Sequence, residues 1–237
     1  MKQKQEKSGS GRVHICAGGT LDVLPNAEPG DILIGVDAGA LGLLEAGVVP
    51  TLAVGDFDTI GEAGLAKLVR SGVEIRRFPE RKDATDSDIG LQAALSYQPK
   101  VIYMYGALGG RMDHSLANVQ LLWQAHQAGV WMQIESRYNR IALLSERFRR
   151  CRLARDHYQY VSLLPLSPLV TGITLDGFAY PLHDATLELG STLGVSNQLT
   201  GEAGRIQIES GALLVMSTRD PNGRQDEERE KNEGSVG

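Results

Sequence analysis

The sequence is poor in cysteine, in net positive charge and in long apolar runs, and each shortage argues against a class of protein. Its two cysteines, Cys16 and Cys151, have no CxxC spacing, which argues against a zinc site or a disulfide framework and fits a reducing cytoplasm. The net charge of −5 argues against a nucleic-acid binder, which normally presents a basic face. No apolar run approaches the roughly 20 residues of a membrane helix, and the first residues lack the apolar core of a signal peptide. We therefore expect a soluble, cytoplasmic protein that binds neither nucleic acid nor membranes.

Composition and periodicity divide the chain into two tails and two folded regions. Residues 1–11 and 219–237 are almost wholly polar and cannot bury a core, so we expect them to be disordered. In residues 12–138, short apolar runs alternate with helical patterns, which predicts an α/β domain with a mainly parallel sheet. In residues 139–218, short strands follow one another at turn spacing, which predicts an all-β sandwich. The predicted strands of this second domain include residues 194–199 and leave residues 145–157 without a strand.

Six aspartates follow predicted strands of the first domain. They are Asp37, Asp56, Asp58, Asp83, Asp86 and Asp88. Because ligands of an open parallel sheet bind beyond the carboxyl ends of its strands, we expect these acids to converge on one edge. Mg²⁺ prefers carboxylate oxygens and keeps waters and substrate phosphates as its other ligands. Each aspartate alone could instead be a turn or helix-capping residue, and residues 85–88 do match a capping box. The set as a whole favours metal-dependent phosphoryl transfer.

A glycine-rich turn follows a further predicted strand, at residues 101–105. Gly109 and Gly110 precede Arg111 at the start of a predicted helix, where backbone N–H groups and a guanidinium can hold a phosphate, although such a turn can also be only a tight connection. His114 and Asn118 lie four residues apart on the helix face that points back at this turn, where a histidine is more often structural than catalytic. The chain has no GxxxxGK[ST] loop and no HRD or DFG signature, so any phosphates must be held in another way.

Together, these segments closely resemble the thiamine pyrophosphokinase family over about residues 13–217. The segments that carry the resemblance are Asp37-Ala38-Gly39-Ala40, residues 50–59, residues 83–88, residues 109–114 with Asn118, residues 172–182 and residues 194–197. Two departures are visible, because the family's more usual Asp-Gly-Gly reads Asp37-Ala38-Gly39 here and its Asp-Phe-Asp-Ser ends in Thr59. Both are changes between small residues, so they bear on loop geometry more than on activity.

The resemblance implies a nucleotide-binding α/β catalytic domain joined to a thiamine-binding β-sandwich. It also implies a homodimer with sites shared between subunits. The implied activity is Mg²⁺-dependent transfer of the diphosphate of ATP to the hydroxyl of thiamine, which gives thiamine diphosphate and AMP.

We expect Asp58 and Asp86, with Asp56, to hold the metal directly or through water. The acids expected to position metal waters or nucleotide groups are Asp37, Asp83 and Asp88. Arg111 and Lys82 are candidates for the phosphates, although Lys82 could equally be a solvated loop lysine. Phosphate and nucleotide contacts are also expected from Gly109, Gly110, His114 and Asn118.

Asp113 lies beside the transfer site in the resemblance, where it could accept the proton of the thiamine hydroxyl or only orient that group. Ser196 and Asn197 could hydrogen-bond the aminopyrimidine edge of thiamine, and Tyr180 could pack on a ring face. Their alternatives are a β-turn pair and an ordinary strand aromatic.

Two other functions remain open at the level of sequence. A related diphosphokinase acting on a hydroxymethylpterin would share the aspartates and the glycine–arginine turn, but would not be expected to carry the segments around Tyr180 and Ser196. A non-catalytic sensor of thiamine diphosphate or nucleotide could dispense with several of the acids, all of which are present.

Overall fold

The computed structural model describes residues 11–78 and 84–221, which divide into two compact units. The first unit ends at Arg137 and the second begins at Tyr138. The predictions for Lys82 and Asp83, and most of both predicted tails, lie outside the described residues. Within the described ranges, no helix is long and apolar enough to cross a membrane.

The first unit is a parallel sheet flanked by helices. Its strands are β1 (Arg12–Cys16), β2 (Ile32–Val36), β3 (Leu52–Gly55), β4 (Glu74–Arg77), β5 (Val101–Tyr105) and β6 (Trp131–Glu135). Its helices are α1 (Ala38–Glu45), α2 (Gly61–Arg70), α3 (Asp86–Leu95) and α4 (Met112–Gln127). The strands follow the order β4-β3-β2-β1-β5-β6, and all neighbours in this order are parallel.

Burial explains why the inner strands are continuous apolar runs. Every residue of β2 is buried, as expected for a strand covered on both faces. A side chain at Gly35 would lie 2.3 Å from Cα of Ala40, so glycine at this position allows α1 to approach β2. The strand order runs in opposite directions on the two sides of β1. Such a switch point opens a crevice beyond the carboxyl ends of the strands.

The second unit is all-β and antiparallel. Its strands are β7 (Asn139–Leu144), β8 (Arg150–Ala154), β9 (Tyr160–Pro165), β10 (Leu169–Asp176), β11 (Leu182–Glu188), β12 (Ala203–Gln207) and β13 (Leu213–Thr218). One group has the order β7-β13-β9 and the other β11-β10-β12-β8. The predicted fold class, an α/β domain followed by an all-β domain, is confirmed.

Two local predictions in the second unit are wrong. Residues 194–199 form no regular strand, because Ser196 has φ 62° and the backbone of the segment bonds to the backbone of β9 at Gly194 and Asn197 but not in a continuous ladder. Conversely, β8 was not predicted. Its arginines occupy the exposed positions, so only Cys151 and Leu153 provide the apolar alternation.

Candidate active site

A pocket of about 540 Å³ lies in the first unit, beyond the carboxyl ends of its strands. Its carboxylates come from Asp37, Asp56, Asp58 and Asp86, and its glycines are Gly18, Gly19, Gly106, Gly109 and Gly110. Strands β1, β2, β3 and β5 and helix α3 each lead into or out of a segment that lines it. The structure therefore brings four of the six predicted aspartates to one cavity, together with the predicted glycine–arginine turn.

Asp37 is the most buried of these acids. It follows β2 directly with φ 48°, and it is 8% exposed. Its Oδ1 atom is buried without a hydrogen-bond partner. Burial raises the pKa of Asp37, and the charges of Asp86 and Asp58 add to this effect, whereas the nearby polar groups of Thr59 and the Ala38 backbone oppose it. A carboxylate in this position is electrostatically unfavourable unless a cation lies beside it.

The loop after β3 holds two further carboxylates around a buried ring. Phe57 has φ 64°, which is strained for a bulky residue, and its 2%-exposed ring belongs to the same core cluster as Leu68 of α2. The backbone N–H of Asp58 donates to Oδ1 of Asp56 at 3.2 Å, and the Thr59 hydroxyl donates to Oδ1 of Asp58 at 3.0 Å. The buried ring anchors the loop, so both carboxylates line the pocket.

Carboxylate oxygens of Asp37, Asp56 and Asp58 all lie within 4.8 Å of one another. The sequence pattern predicts Asp86, rather than Asp37, as a metal ligand beside Asp56 and Asp58. In the structure, Asp86 lines the same pocket and its charge acts on Asp37. Three hard oxygen donors, one of them buried and unpartnered, match what a divalent cation such as Mg²⁺ requires.

The first turn of α3 combines capping with a place at the pocket. The Thr85 hydroxyl accepts the backbone N–H of Asp88 at 3.2 Å, so the capping alternative applies to Thr85. Asp86 also lies in this turn and lines the pocket. Asp88 is not among the pocket-lining residues, and its Oδ1 accepts a hydrogen bond from Nε2 of Gln92 at 3.2 Å.

The glycine–arginine turn is fixed by two polar residues of α4. The Ser115 hydroxyl accepts the backbone N–H of Gly109 at 3.0 Å and lies 3.2 Å from the Arg111 carbonyl oxygen, to which it can donate. Nδ2 of Asn118 donates to the Ala107 carbonyl at 2.8 Å. Asn118, predicted as a ligand contact, therefore also holds the loop. Ser115 was not predicted as a site residue. Its position four residues after Arg111, one helical turn from that arginine, is the sequence signal for its role.

Arg111 and Asp113 form a two-pronged ion pair on the exposed side of the turn. Nη2 of Arg111 lies 2.6 Å from Oδ2 of Asp113, and Nε lies 3.2 Å from Oδ1. The hydrogen bond from Arg111 lowers the pKa of Asp113, which makes this carboxylate a weaker base. Arg111 and His114 line the pocket, whereas Asp113 is not among its lining residues.

Of the three predicted thiamine contacts in the second unit, Asn197 bonds to Tyr180 and follows Ser196 in the chain. Asn197 is buried, and its Oδ1 accepts the backbone N–H of Tyr180 at 3.0 Å and that of Gln198 at 2.9 Å. Its Nδ2 donates to the Tyr180 carbonyl at 2.7 Å. The Tyr180 side chain is exposed, and so is Ser196, whose backbone N–H donates to the Ser162 hydroxyl at 3.0 Å. Asn197 therefore positions the segment that presents Tyr180.

An open parallel sheet with an acidic pocket at its switch point defines an α/β protein that binds its ligand beyond the strand ends. Family models match both units: "Thiamin pyrophosphokinase, catalytic domain" covers residues 26–134, and "Thiamin pyrophosphokinase, vitamin B1 binding domain" covers residues 150–213. The chain belongs to the thiamine pyrophosphokinase family.

Individual relatives agree with this assignment over most of the chain. A thiamine pyrophosphokinase of Bacillus subtilis is 33% identical over 213 residues, which are 88% of this chain and 99% of that protein. A crystal structure of the Bacillus subtilis enzyme has a TM-score of 0.82 at 32% identity, over 88% of this chain and 99% of that one. A structure of thiamin pyrophosphokinase from Geobacillus thermodenitrificans has a TM-score of 0.79 at 32% identity, over 89% of this chain and 99% of that one.

Proposed function

We propose that this chain transfers the diphosphate group of ATP to the hydroxyl of thiamine, giving thiamine diphosphate and AMP. The observation that carries the proposal is the convergence of four carboxylates and the glycine–arginine turn on one pocket. Family membership supplies the substrates. In the reaction, the thiamine hydroxyl oxygen bonds to the β-phosphorus and loses its proton to solvent, the bond between the α,β-bridging oxygen and the β-phosphorus breaks, and AMP leaves. Such transfers depend on positioning and charge neutralisation more than on covalent help from the protein.

We infer that Asp37, Asp56 and Asp58 hold Mg²⁺, with Asp86 completing the acidic wall directly or through water. The support is the buried, unpartnered Oδ1 of Asp37 and the mutual approach of the three carboxylates. Bound there, Mg²⁺ would neutralise polyphosphate charge and orient the transferred group. Without it, the acids would repel the nucleotide they are meant to bind.

The phosphates are assigned to the turn before α4. The backbone N–H of Gly110 and the positive end of the α4 dipole favour an anion there, and Arg111 can reach it with its guanidinium, while the N–H of Gly109 is held by Ser115. We assign Asp113 the role of holding Arg111, because its carboxylate is already engaged with that side chain. His114 and Asn118 line the same side of the pocket as this turn. Lys82, Asp83 and Asp88 stay predictions as contacts to metal waters or nucleotide.

Thiamine binding is assigned to the β-rich domain, residues 139–218, and catalysis to residues 12–138. Thiamine carries a cationic thiazolium, and the exposed Tyr180 ring offers it a face for a stacking or cation–π contact. The exposed Ser196 hydroxyl can hydrogen-bond the aminopyrimidine, while the buried Asn197 amide holds the backbone of Tyr180. A cytoplasmic location of the protein is inferred from its low cysteine content.

We further propose a homodimer in which these thiamine contacts complete a site of the partner subunit. The proposal rests on the family resemblance and on the two-fold symmetry that most homo-oligomers adopt. Light scattering should then report about twice 25.6 kDa at micromolar concentration. A fully active monomer would contradict a shared site.

The choice of acceptor tests the proposed function directly. Purified protein with ATP and Mg²⁺ should consume thiamine and leave a 6-hydroxymethylpterin unchanged under matched conditions. Preference for the pterin would favour the related diphosphokinase. Binding of thiamine diphosphate without any turnover of either acceptor would favour the sensor.

A further inference from the structure

A second cavity, of about 390 Å³, lies on the four-stranded sheet of the second unit. It is lined by three arginines, by polar residues of the neighbouring strands, and by Cys151 and Ile206 between them. We call it the arginine groove, and its polar lining consists of Arg150, Arg152, Arg205, Gln207, Thr174 and Asp176.

Strand register puts these side chains on one face of the sheet. Arg152 of β8 pairs with Arg205 of β12, which in turn pairs with Asp176 of β10. Arg150 pairs in the same way with Gln207, and Gln207 with Thr174. Directly paired residues share a face, and residues two apart in a strand share it as well. The groove is therefore two rows of three side chains.

The residues between these rows turn to the other face and are apolar. Ile206 is 0% exposed and Leu175 is 2% exposed, and Cys151 lies opposite Ile206 in the register. Arg150, Arg152 and Arg205 are all exposed. The sheet thus keeps a buried inner face and concentrates cations on its outer face, although the whole chain has a net charge of −5.

None of the three arginines forms an ion pair within residues 11–78 and 84–221. Like charges placed directly opposite each other, as Arg152 and Arg205 are, destabilise a sheet. Charged residues on an exposed edge can prevent sheets from joining, and β8 is the edge strand of its group. Edge protection does not explain Arg205, because its strand, β12, lies between β8 and β10.

We propose that the arginine groove binds a small linear polyphosphate. A guanidinium forks two phosphate oxygens, and two or three guanidiniums can share adjacent phosphoryl groups. The Cα atoms of Arg150 and Arg152 are about 7 Å apart along their strand, and the Cβ atoms of Arg152 and Arg205 are about 5 Å apart across the pair. This spacing suits a chain of phosphoryl groups better than a single phosphate. Asp176 cancels one charge, and the Gln207 amide and Thr174 hydroxyl can add hydrogen bonds.

Binding without a metal distinguishes this groove from the acidic pocket of the first unit. In chelator, the four carboxylates of that pocket repel polyanions, whereas the groove needs no cation. The test is calorimetric titration of the full-length protein with inorganic triphosphate in EDTA at low ionic strength. We expect one triphosphate per chain, weakened by added salt, and no measurable binding of AMP. The titration measures no turnover, so its result is independent of the proposed activity.

Variants locate the site. Arg152→Gln and Arg205→Gln should each weaken triphosphate binding about tenfold, and the double variant should abolish it. Arg70→Gln, an exposed arginine at the end of α2, removes the same charge elsewhere and should change affinity less than about twofold.

A readout on the wild-type protein covers the case in which a variant fails to fold. Triphosphate in EDTA should protect the three groove arginines from modification by phenylglyoxal, as measured by mass spectrometry, and should leave Arg70 reactive. Absence of binding in EDTA, binding unchanged in the double variant, or lack of protection would each overturn the proposal. Arg150 and Arg152 would then serve only to shield the edge strand β8.

Discussion

Asp37→Asn should stabilise the metal-free protein while removing most of its activity. The side chain is buried beside Asp58 and Asp86, and its Oδ1 has no hydrogen-bond partner. Asparagine keeps the volume, removes the charge and tolerates the positive φ at this position. A substitution that raises stability and lowers activity is the signature of a side chain kept for function.

The magnitude follows from the desolvation penalty of the buried negative charge, which the variant no longer carries, about 1 to 3 kcal/mol. For a chain of this length, each kcal/mol shifts the midpoint of thermal unfolding by about 2 to 4 °C. In EDTA at pH 7, Asp37→Asn should therefore unfold about 2 to 12 °C above the wild type. Adding Mg²⁺ should raise the wild-type midpoint and change that of the variant much less, because ligand binding stabilises the folded state that binds it.

The pH dependence has a defined sign. Because burial raises the folded-state pKa of Asp37, its contribution to stability is fully present below the unfolded pKa, near 3.8, and is lost as pH rises through the folded value. The advantage of the variant in EDTA should be absent near pH 3.5 and should grow to a plateau at higher pH.

Asp184→Asn is the matched control. Asp184 also has a positive φ, of 50°, but it is exposed, so its replacement should change stability by less than about 0.5 kcal/mol. A destabilising effect of Asp37→Asn in EDTA, or wild-type turnover of this variant with Mg²⁺, would contradict a metal-binding role for Asp37.

Substitutions at four further residues separate their individual roles. Asp58→Asn should lower turnover about 100-fold with an unchanged far-UV spectrum, whereas retained turnover would remove Asp58 from the metal site. Ser115→Ala leaves the N–H of Gly109 without its hydroxyl partner and should raise the KM for ATP about tenfold with little effect on the affinity for thiamine; an unchanged KM would show that the turn keeps its shape without Ser115. Tyr180→Ala should weaken thiamine binding about two- to thirtyfold and Tyr180→Trp should not, with unfolding unchanged in both, and an equal loss of ATP affinity would contradict the assignment. Asn197→Ala, by contrast, should lower thermal stability and thiamine affinity together, because three backbone hydrogen bonds are lost; lower affinity without lower stability would indicate direct contact with thiamine.

Sequence periodicity was sufficient for the fold class because the two units use different patterns. Runs such as β2 are apolar throughout and alternate with helices, whereas the second unit has short strands separated by turns. Periodicity failed where the structure departs from a regular pattern. In β8, only Cys151 and Leu153 alternate with arginines, and in residues 194–199 the positive φ of Ser196 interrupts the predicted strand.

The candidate site could be located from sequence, but not the division of labour within it. Asp37 and Asp58 lie 21 residues apart, and their approach depends on how the ends of β2 and β3 are placed. Sequence also cannot show that a polar side chain is already engaged. Asn197 was assigned to the ligand, yet its amide bonds to the backbone of Tyr180.

The fate of the β-phosphoryl group tests the central claim most directly. With ATP labelled at the β-phosphorus, thiamine and Mg²⁺, the label should appear in thiamine diphosphate in equal amount to the AMP formed, and EDTA should stop both. Formation of ADP with thiamine monophosphate, or label transfer that continues in EDTA, would contradict a metal-dependent diphosphate transfer.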